Sequence, residues 1–263
     1  MSSRGTLRTK FCSITTAPPE VATKYLLKSN WNLEQAVSDY YSGGASSTVS
    51  GNLKASLGAV TAIFDKYKDP QSEIILIDGT LSYLEDLGID PEDCLSLTLS
   101  YILNSPQTGE FHRKDFVDYW TQAGVSSLTE MKEHLQNTHT QLIASPETFV
   151  KLYNYVFGFV KGPDRQLKMI DAQDAISYWR LLFAQCSFLT SCSERFEQWY
   201  TFVEQSGRGI TKDLWEMFFK FLVDVLSTDP VHLSSYDEMS AWHSMMDEYV
   251  EWLEDNNLLE ASA

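Results

Sequence analysis

A twelve-residue stretch in the first half of the chain has the outline of a calcium-binding loop. It reads NSPQTGEFHRKD, residues 104–115, with glycine at its sixth position and a carboxylate at its twelfth. Calcium also needs oxygen ligands from the third and fifth positions, which are Pro106 and Thr108 here. A second stretch, DPQSEIILIDG at residues 69–79, has no glycine at its sixth position. The sequence therefore predicts helix–loop–helix units with this turn chemistry and without a bound ion.

Other patterns that carry chemistry are missing from the sequence. The motifs GxSxG, GxGxxG and the P-loop do not occur. QSGRG, residues 205–209, follows a helical stretch and favours a C-cap turn. The four cysteines form no CxxC pair and the five histidines are scattered, so no metal site is predicted. These are Cys12, Cys94, Cys186 and Cys192, which we expect to be reduced, half-buried thiols. The sequence predicts no catalytic residue, no metal and no cofactor.

Composition indicates a protein with a sizeable core and a strong negative charge. The chain has 263 residues, of which 43% are hydrophobic, and a formal net charge of −16. This charge argues against nucleic acid and anionic membranes as partners and favours a basic protein. No apolar run reaches the ~18 residues that cross a bilayer. Because the N-terminus, MSSRGTLRTKF, lacks the apolar core of a secretory signal, we expect the protein in the cytoplasm and nucleus.

The negative charge is concentrated near the C-terminus. Residues 213–263 contain twelve acids and a single lysine, Lys220. A helical wheel started at Trp242 places two groups on opposite faces. The apolar group is Trp242, Met245, Met246, Tyr249, Val250, Trp252 and Leu253, and the acidic group is Asp247, Glu248, Glu251, Glu254 and Asp255. Because a solubilising helix normally mixes both signs, the acidic face predicts a docking surface for a basic partner; a solvated surface is the alternative.

Upstream of this segment, TKDLWEMFFKFLVDVL predicts another amphipathic helix. Thr211 is expected to cap its N-terminus, and Asp213 then falls in the first turn. A carboxylate in that turn interacts favourably with the positive end of the helix dipole. Asp213 is therefore explained either by helix stability or by a partner.

Apolar residues recur at helical spacing along nearly the whole chain, which predicts an all-α fold. One short strand-like run, EIILID, spans residues 73–78. Glycine and serine residues predict a flexible linker at 46–58. It separates a small three-helix module, 8–45, from a larger helical body, 59–257, that contains the degenerate calcium-loop units.

The small module fits three short helices. Phe11 and Ile14 are expected to face inward from the first, and Asn30 is expected to cap the third. The segment YLLKSNWNLEQAVSDYY, residues 25–41, resembles the second half of a ubiquitin-associated (UBA) domain. That resemblance implies ubiquitin as a partner. The first loop reads TTAPPE in place of the usual Met-Gly-aromatic signature, so a helical cap without ubiquitin binding is the alternative.

The body contains several pieces, in order, that resemble the defective-in-cullin-neddylation family. They are KYKDPQSE (66–73), ISYWRLLF (176–183), ITKDLWEMFFKF (210–221) and SSYDEMSAWHSMMDEYVEW (234–252). The resemblance implies a UBA-like module followed by a potentiating-neddylation domain. It also implies a non-catalytic scaffold that binds the C-terminal winged-helix region of a cullin together with the neddylation conjugating enzyme. Such a scaffold promotes transfer of the ubiquitin-like modifier to a cullin lysine.

Two binding sites follow from the same resemblance. Asp213, Ala241 and Asp247 match an acidic patch that faces a basic cullin surface. A pocket for the acetylated N-terminal methionine of the conjugating enzyme is matched by Pro91, Leu99, Thr108, Phe111, Phe159 and Leu181, each of which is also compatible with ordinary helical core. Ser96 and Ser100 stand where apolar or small residues are expected.

Two other functions are consistent with the sequence. The chain could be a ubiquitin-reading adaptor whose body binds other cargo. It could also be an EF-hand-like regulator that responds to calcium, without ligase-cofactor activity.

Overall fold

The structure is a computed structural model that describes residues 4–15, 17–42, 45–164 and 166–259, with the side chains of residue 20 and residues 41–55 left out. Within these ranges it contains thirteen α-helices and four two-residue strands, which confirms the predicted all-α class. None of the helices in the described ranges is both long and apolar enough to cross a membrane. The chain divides into two compact units, residues 1–59 and 60–263.

The elements follow one another in this order. The first unit contains α1 (Arg4–Thr15), α2 (Pro19–Lys28), α3 (Leu33–Ser42) and the start of α4 (Ala45–Tyr67). The first half of the body contains β1 (Ile74–Ile75), α5 (Ile77–Leu87), α6 (Cys94–Ile102), β2 (Phe111–His112), α7 (Arg113–Gln122) and α8 (Leu128–Leu142). The second half contains α9 (Pro146–Lys161), β3 (Met169–Ile170), α10 (Ala172–Phe183), a 3₁₀ turn (Ser187–Cys192), α11 (Ser193–Ser206), β4 (Ile210–Thr211), α12 (Lys212–Phe221), a π turn (Leu222–Leu226) and α13 (Ser244–Asp255).

The small module packs α1, α2 and α3 around Phe11, which is fully buried. Two details differ from the sequence prediction. Ile14 is 52% exposed, because the buried face of α1 runs through Phe11 and Thr15 and leaves Ile14 at its edge. Asn30 does not cap α3; the side-chain oxygen of Asn32 accepts from the backbone N–H of Gln35 at 3.1 Å. Asn30 instead has a positive φ of 49° in the preceding turn, so the helix begins later.

The predicted flexible linker is not a separate segment in the structure, because residues 46–58 lie within α4. The second half of this helix is anchored by Val60 and Phe64, which are fully buried, and by Tyr67. These residues recur at the spacing of one helical face, so burial stabilises the helix there. The glycine- and serine-rich composition predicts a linker because it does not show that α4, anchored further along the chain, already begins at Ala45.

Two short antiparallel pairings organise the body. Ile75 pairs with Phe111, and Ile170 pairs with Ile210. Each pairing joins the loops of two helix–loop–helix units, and the first pairing involves the predicted units at 69–79 and 104–115. The strand-like run contributes only Ile74–Ile75, because the chain enters α5 at Ile77.

The second half of the body is built around Tyr153 of α9, which is fully buried. Its hydroxyl accepts from the indole N–H of Trp179 in α10 at 2.9 Å and donates to the carbonyl of Trp215 in α12 at 2.9 Å. The indole N–H of Trp215 donates to the Tyr153 carbonyl at 3.0 Å. Burial raises the pKa of Tyr153 well above its usual value, so the hydroxyl remains a donor. We call these three residues the Tyr153 hub.

The two halves of the body meet at α6 and α8. Leu97 of α6 packs into the core of the second half, and Leu99 packs into the core of the first. His139 of α8 is buried, with Nδ1 2.8 Å from the Thr98 hydroxyl and Nε2 2.9 Å from the Gln185 side-chain oxygen. Buried polar groups of this kind are stable only when they are hydrogen-bonded, so the contact fixes how the halves fit together.

The cysteines are more buried than the sequence predicts. Cys94, Cys186 and Cys192 are buried, and only Cys12 is half-buried. Burial raises the pKa of Cys94 and of Cys186 to about 12. These thiols therefore stay protonated near neutral pH and behave as small apolar side chains.

Removing the hydroxyl of the hub tests its contribution to stability. Tyr153→Phe leaves the Trp179 indole N–H without its buried acceptor, so the free energy of unfolding should fall by about 1–3 kcal/mol in urea titrations. Tyr101→Phe, at a partly exposed tyrosine of α6, is the matched control and should change it by less than about 0.5 kcal/mol. Equal effects of the two substitutions would contradict the role of the hub.

Candidate functional site

A cavity of about 470 Å³ opens in the body between α5, α6, α9, α10 and the loop that precedes β2. Its wall is mostly apolar, with a few hydroxyl groups and one carboxylate. The lining residues are Ile77, Thr80, Leu81, Leu84, Pro91, Glu92, Ser96, Leu97, Ser100, Thr108, Gly109, Phe111, Phe159, Ser177, Tyr178 and Leu181. A cavity of this size and character suits one large apolar side chain and a short piece of backbone.

The structure brings together five of the six residues predicted for the pocket. Pro91, Thr108, Phe111, Phe159 and Leu181 all line the cavity. They come from separate elements along 90 residues of chain, so their convergence is not a consequence of sequence proximity.

Leu99 is the exception. It is fully buried in the core of the first half of the body and does not line the cavity. On α6 the cavity is lined by Ser96, Leu97 and Ser100, which fall within about 100° of one another around the helix. Leu99 lies about 60° outside this sector and points into the core instead.

The serines of the cavity use their hydroxyl hydrogens within their own helices. Ser96 donates to the carbonyl of Asp93 at 2.7 Å, and Ser100 donates to the carbonyl of Ser96 at 3.0 Å. Ser177 donates to the carbonyl of Gln173 at 2.8 Å. The three hydroxyls therefore have no hydrogen left to donate to a ligand, although their oxygen atoms can still accept a hydrogen bond.

Sequence reasoning missed the contribution of α5. Ile77 and Leu81 line the cavity and remain 49% and 44% exposed. They are four residues apart and share one helix face. Large apolar residues at this spacing, on a helix whose buried face is formed by Thr80, Tyr83, Leu84 and Leu87, are the signal that could have found them.

The loop that carries Thr108 and Gly109 is held by hydrogen bonds. The Ser105 hydroxyl lies 2.7 Å from the Gln107 carbonyl and 2.6 Å from the Glu110 carbonyl. The Tyr155 hydroxyl of α9 donates to the Ser105 carbonyl at 2.7 Å. These contacts fix the loop at the edge of the cavity.

The acidic surface begins at α12. The Thr211 hydroxyl accepts from the backbone N–H of Leu214 at 3.2 Å, which confirms the predicted cap. Asp213 lies exposed in the first turn. It lies eight residues, and therefore about 12 Å along the helix, before Phe221, whose ring contacts Tyr236 and Trp242.

Helix α13 begins two residues after Trp242, the residue from which the helical wheel is counted. It starts at Ser244, and the ring nitrogen Nδ1 of His243 accepts from the backbone N–H of Met245 at 3.1 Å. Ala241 lies in the irregular segment before the helix, where it is exposed. The apolar face is confirmed for the buried residues Met245, Met246, Tyr249, Val250 and Leu253, whereas Trp242 and Trp252 are half-buried against the same core.

Asp247 is tied to the segment that precedes α13. Its carboxylate accepts from the Tyr236 hydroxyl at 2.6 Å. Burial, together with this hydrogen bond, raises the pKa of Tyr236, so the hydroxyl remains protonated and orients the carboxylate. The bond leaves carboxylate lone pairs available for an incoming donor.

A buried arginine anchors the segment between α12 and α13. Arg195 of α11 is 6% exposed, and its guanidinium donates to the carbonyls of Val231 at 2.9 Å and Leu258 at 3.0 Å. It also donates to the carbonyl of Pro230. These bonds fix both ends of the acidic region to the core.

Several acids of this region are neutralised within the chain. Glu248 pairs with Arg208, Glu216 pairs with Lys212, and Asp224 pairs with Lys220. In the part of the chain that the structure describes, neither Asp213 nor Asp247 forms an ion pair. No basic side chain of the described residues therefore neutralises either of the two predicted aspartates.

The comparisons with known proteins agree with this layout. A family model described as a UBA-like domain matches residues 8–47, and one described as Cullin binding matches residues 130–252. Together they define a cullin-binding protein with a UBA-like module in front.

Full-length relatives identify the family. The chain is 33% identical to "Defective in cullin neddylation protein 1" of Candida albicans, over 98% of this chain and 100% of the relative. It is 31% identical to the Yarrowia lipolytica protein of that name, over 92% and 94%, and 30% identical to the Saccharomyces cerevisiae protein, over 93% and 92%. The chain belongs to the defective-in-cullin-neddylation family, which confirms the resemblance.

The edge of the cavity depends on Gly109. Its φ is +73°, and a Cβ at this position would lie 2.6 Å from Ile77 Cδ1 and 3.0 Å from Ile77 Cα. Gly109→Ala should lower the free energy of unfolding by at least about 2 kcal/mol, because backbone strain and overlap add.

Two other glycines are matched controls for this substitution. Gly124 has a φ of +72° and nothing within 4 Å, so Gly124→Ala should cost only the strain, about 1 kcal/mol. Gly158 lies inside α9 with nothing within 4 Å, and Gly158→Ala should stabilise by up to about 1 kcal/mol. Equal losses at 109 and 124 in urea titrations would show that the Ile77 contact costs nothing.

Proposed function

We propose that the chain is a non-catalytic scaffold that binds a cullin and the neddylation conjugating enzyme and promotes transfer of the ubiquitin-like modifier to a cullin lysine. One observation carries the proposal. The cavity and the acidic surface stand on helices that a single buried contact joins, because Phe159 is on α9, Leu181 on α10 and Asp213 on α12. Two partners bound at these positions would be held by one packed body.

The cullin is proposed to bind the acidic surface. Asp213 and Asp247 would pair with lysine or arginine residues of the C-terminal winged-helix region, and Ala241 would allow close approach because its side chain is small. Support comes from the exposure of Asp213, the unpaired charge of both aspartates and the match of residues 130–252 to a cullin-binding family. Complementary charge raises the association rate and excludes acidic competitors.

The conjugating enzyme is proposed to insert its acetylated N-terminal methionine into the cavity. The apolar wall favours a methionine side chain, and acetylation removes the charge that would otherwise be desolvated against it. The mostly apolar lining of the cavity supports this proposal.

The proposed mechanism needs no acid or base from this chain. Holding the modifier-loaded enzyme and the cullin on one body raises their effective concentration and limits their orientations. The rate of transfer then rises because less entropy is lost on the way to the transition state. The bond-forming chemistry stays with the conjugating enzyme and its ligase.

The UBA-like module and the cellular location complete the proposal. Exposed Ile14 and Leu27 on the module, 52% and 58% exposed, support contact with the apolar surface of a ubiquitin-like protein. The protein is proposed to act in the cytoplasm and nucleus, together with the cullin and the conjugating enzyme.

Reversing one charge tests the cullin surface. Asp247→Lys should weaken binding of a cullin C-terminal fragment by more than about tenfold, because it replaces an attractive contact by a repulsive one. Glu133→Lys, at an exposed carboxylate of α8, makes the same change in net charge and should bind normally. Binding is measured by calorimetry and folding by circular dichroism. Equal binding by both variants would contradict the assignment of the acidic surface.

Peptides that match the N-terminus of the conjugating enzyme test the cavity. The acetylated peptide should bind at least about tenfold more tightly than the same peptide with a free amine. Ser177→Trp should abolish binding by filling the cavity. Thr201→Trp, on an exposed residue of α11 with the same kind of hydrogen bond to its own helix, should not. Normal binding by Ser177→Trp would place the peptide elsewhere.

A further inference from the structure

Met239 is the most exposed large apolar side chain in the described residues, with 86% of its surface accessible. It lies in the segment between the π turn and α13, two residues before Ala241. Removing a methionine side chain from water lowers the free energy of the system. The fold gains almost nothing from this side chain as it stands.

The turn that carries Met239 is well ordered. The Asp237 carboxylate accepts from the backbone N–H of Met239 at 3.0 Å and from the Ser240 hydroxyl at 3.0 Å. The backbone N–H of Ser240 donates to the Asp237 carbonyl at 3.0 Å, and that of Trp242 donates to the Ser240 carbonyl at 2.8 Å. These bonds define the direction in which the backbone presents residue 239.

Both ends of the turn are fixed to the same residue of α12. The rings of Tyr236 and Trp242 meet Phe221 edge-on, at centroid distances of 6.1 Å and 5.4 Å. Tyr236 also donates to Asp247, and the Lys220 ammonium lies 4.3 Å from the centre of the Trp242 ring. The turn is therefore clamped at its base, beside Asp247, with Met239 at its tip.

The surroundings of Met239 indicate what it would contact. Asp237 and Glu238 precede it, and Asp247 is connected to the same turn. A partner that fits must combine positive charge for these carboxylates with an apolar surface for the methionine. Lysine and arginine side chains provide both, because their methylene stems are apolar and their ends are charged.

We infer that Met239 is an apolar anchor for the cullin, which inserts between the stems of the basic residues that the acidic surface attracts. This inference rests on the proposed function. The turn is ordered before binding, so little conformational entropy is lost on association. An unbranched, polarisable side chain can also adapt to an irregular recess. Met239 would then contribute affinity, while Asp213 and Asp247 contribute attraction and orientation.

Three variants of the full chain, titrated calorimetrically with a cullin C-terminal fragment, test the inference. Met239→Gln keeps the length of the side chain but makes it polar, and should weaken binding about tenfold. Met239→Leu keeps the apolar surface and should stay within about twofold of the parent chain. Leu167→Gln makes a similar change at a 51% exposed residue just before β3 and should have no effect.

Salt dependence separates this inference from the proposed function. Apolar contacts are not screened by salt, so Met239→Gln should lower the affinity by the same factor at low and high ionic strength. Asp247→Lys should change the salt dependence itself. Normal affinity of Met239→Gln, or an equal loss for Met239→Leu, would overturn the anchor and leave the acidic surface standing. Normal binding and salt dependence of Asp247→Lys would overturn the proposed function instead.

Discussion

The buried contact between Tyr153, Trp179 and Trp215 is the constraint on which the rest of the body depends. Three helices that carry binding residues meet there, and every polar atom of the contact has a partner in the core. Rings also stack closely, with 4.7 Å between the centres of Tyr153 and Trp215 and 5.2 Å between those of Trp179 and Trp215. Directional bonds inside a packed core allow few alternative arrangements. A protein that works by holding others in place needs that uniqueness more than it needs reactive groups.

Charge makes the opposite demand on the same body. A net charge of −16 favours solubility but disfavours a compact state through repulsion. The fold relieves part of this repulsion locally, for instance between Lys220 and Asp224 at 2.7 Å. No such ion pair relieves the repulsion at Asp213 or Asp247 in the described residues. Instead, a helix N-terminus stabilises the first carboxylate and the Tyr236 hydroxyl stabilises the second. Both groups can thus be retained in the unbound protein at a modest cost.

Much of the fold was predictable from sequence because helical periodicity is a local signal. The apolar face of α13 and the Thr211 cap depend only on neighbouring residues, and both were predicted correctly. Five pocket residues were also brought together as expected, but that expectation came from a family resemblance and not from periodicity. Periodicity says which residues are buried, not which buried residues border an empty space.

The errors have a common physical origin in long-range contacts. The wheel counted from Trp242 includes a residue outside the helix: α13 starts at Ser244, where His243 caps it, and Trp242 packs against Phe221, a residue 21 positions earlier in the chain. Leu99 is predicted to line the pocket, whereas it packs into the core of the first half of the body and only Ser96, Leu97 and Ser100 of α6 reach the cavity. The composition of residues 46–58 predicts a flexible linker, whereas they lie in a helix whose second half is anchored by Val60 and Phe64.

The serine-lined wall of the cavity has a consequence for inhibitor design. Since Ser96, Ser100 and Ser177 already donate to their own helices, a small molecule would gain little from acceptor groups aimed at them. Bulky hydrocarbon that fills the extra volume beside these short side chains would bind better. The same bulk would collide with longer side chains at the three positions in another protein. The volume left free by these short side chains is therefore the property by which a bulky compound could distinguish this cavity from others.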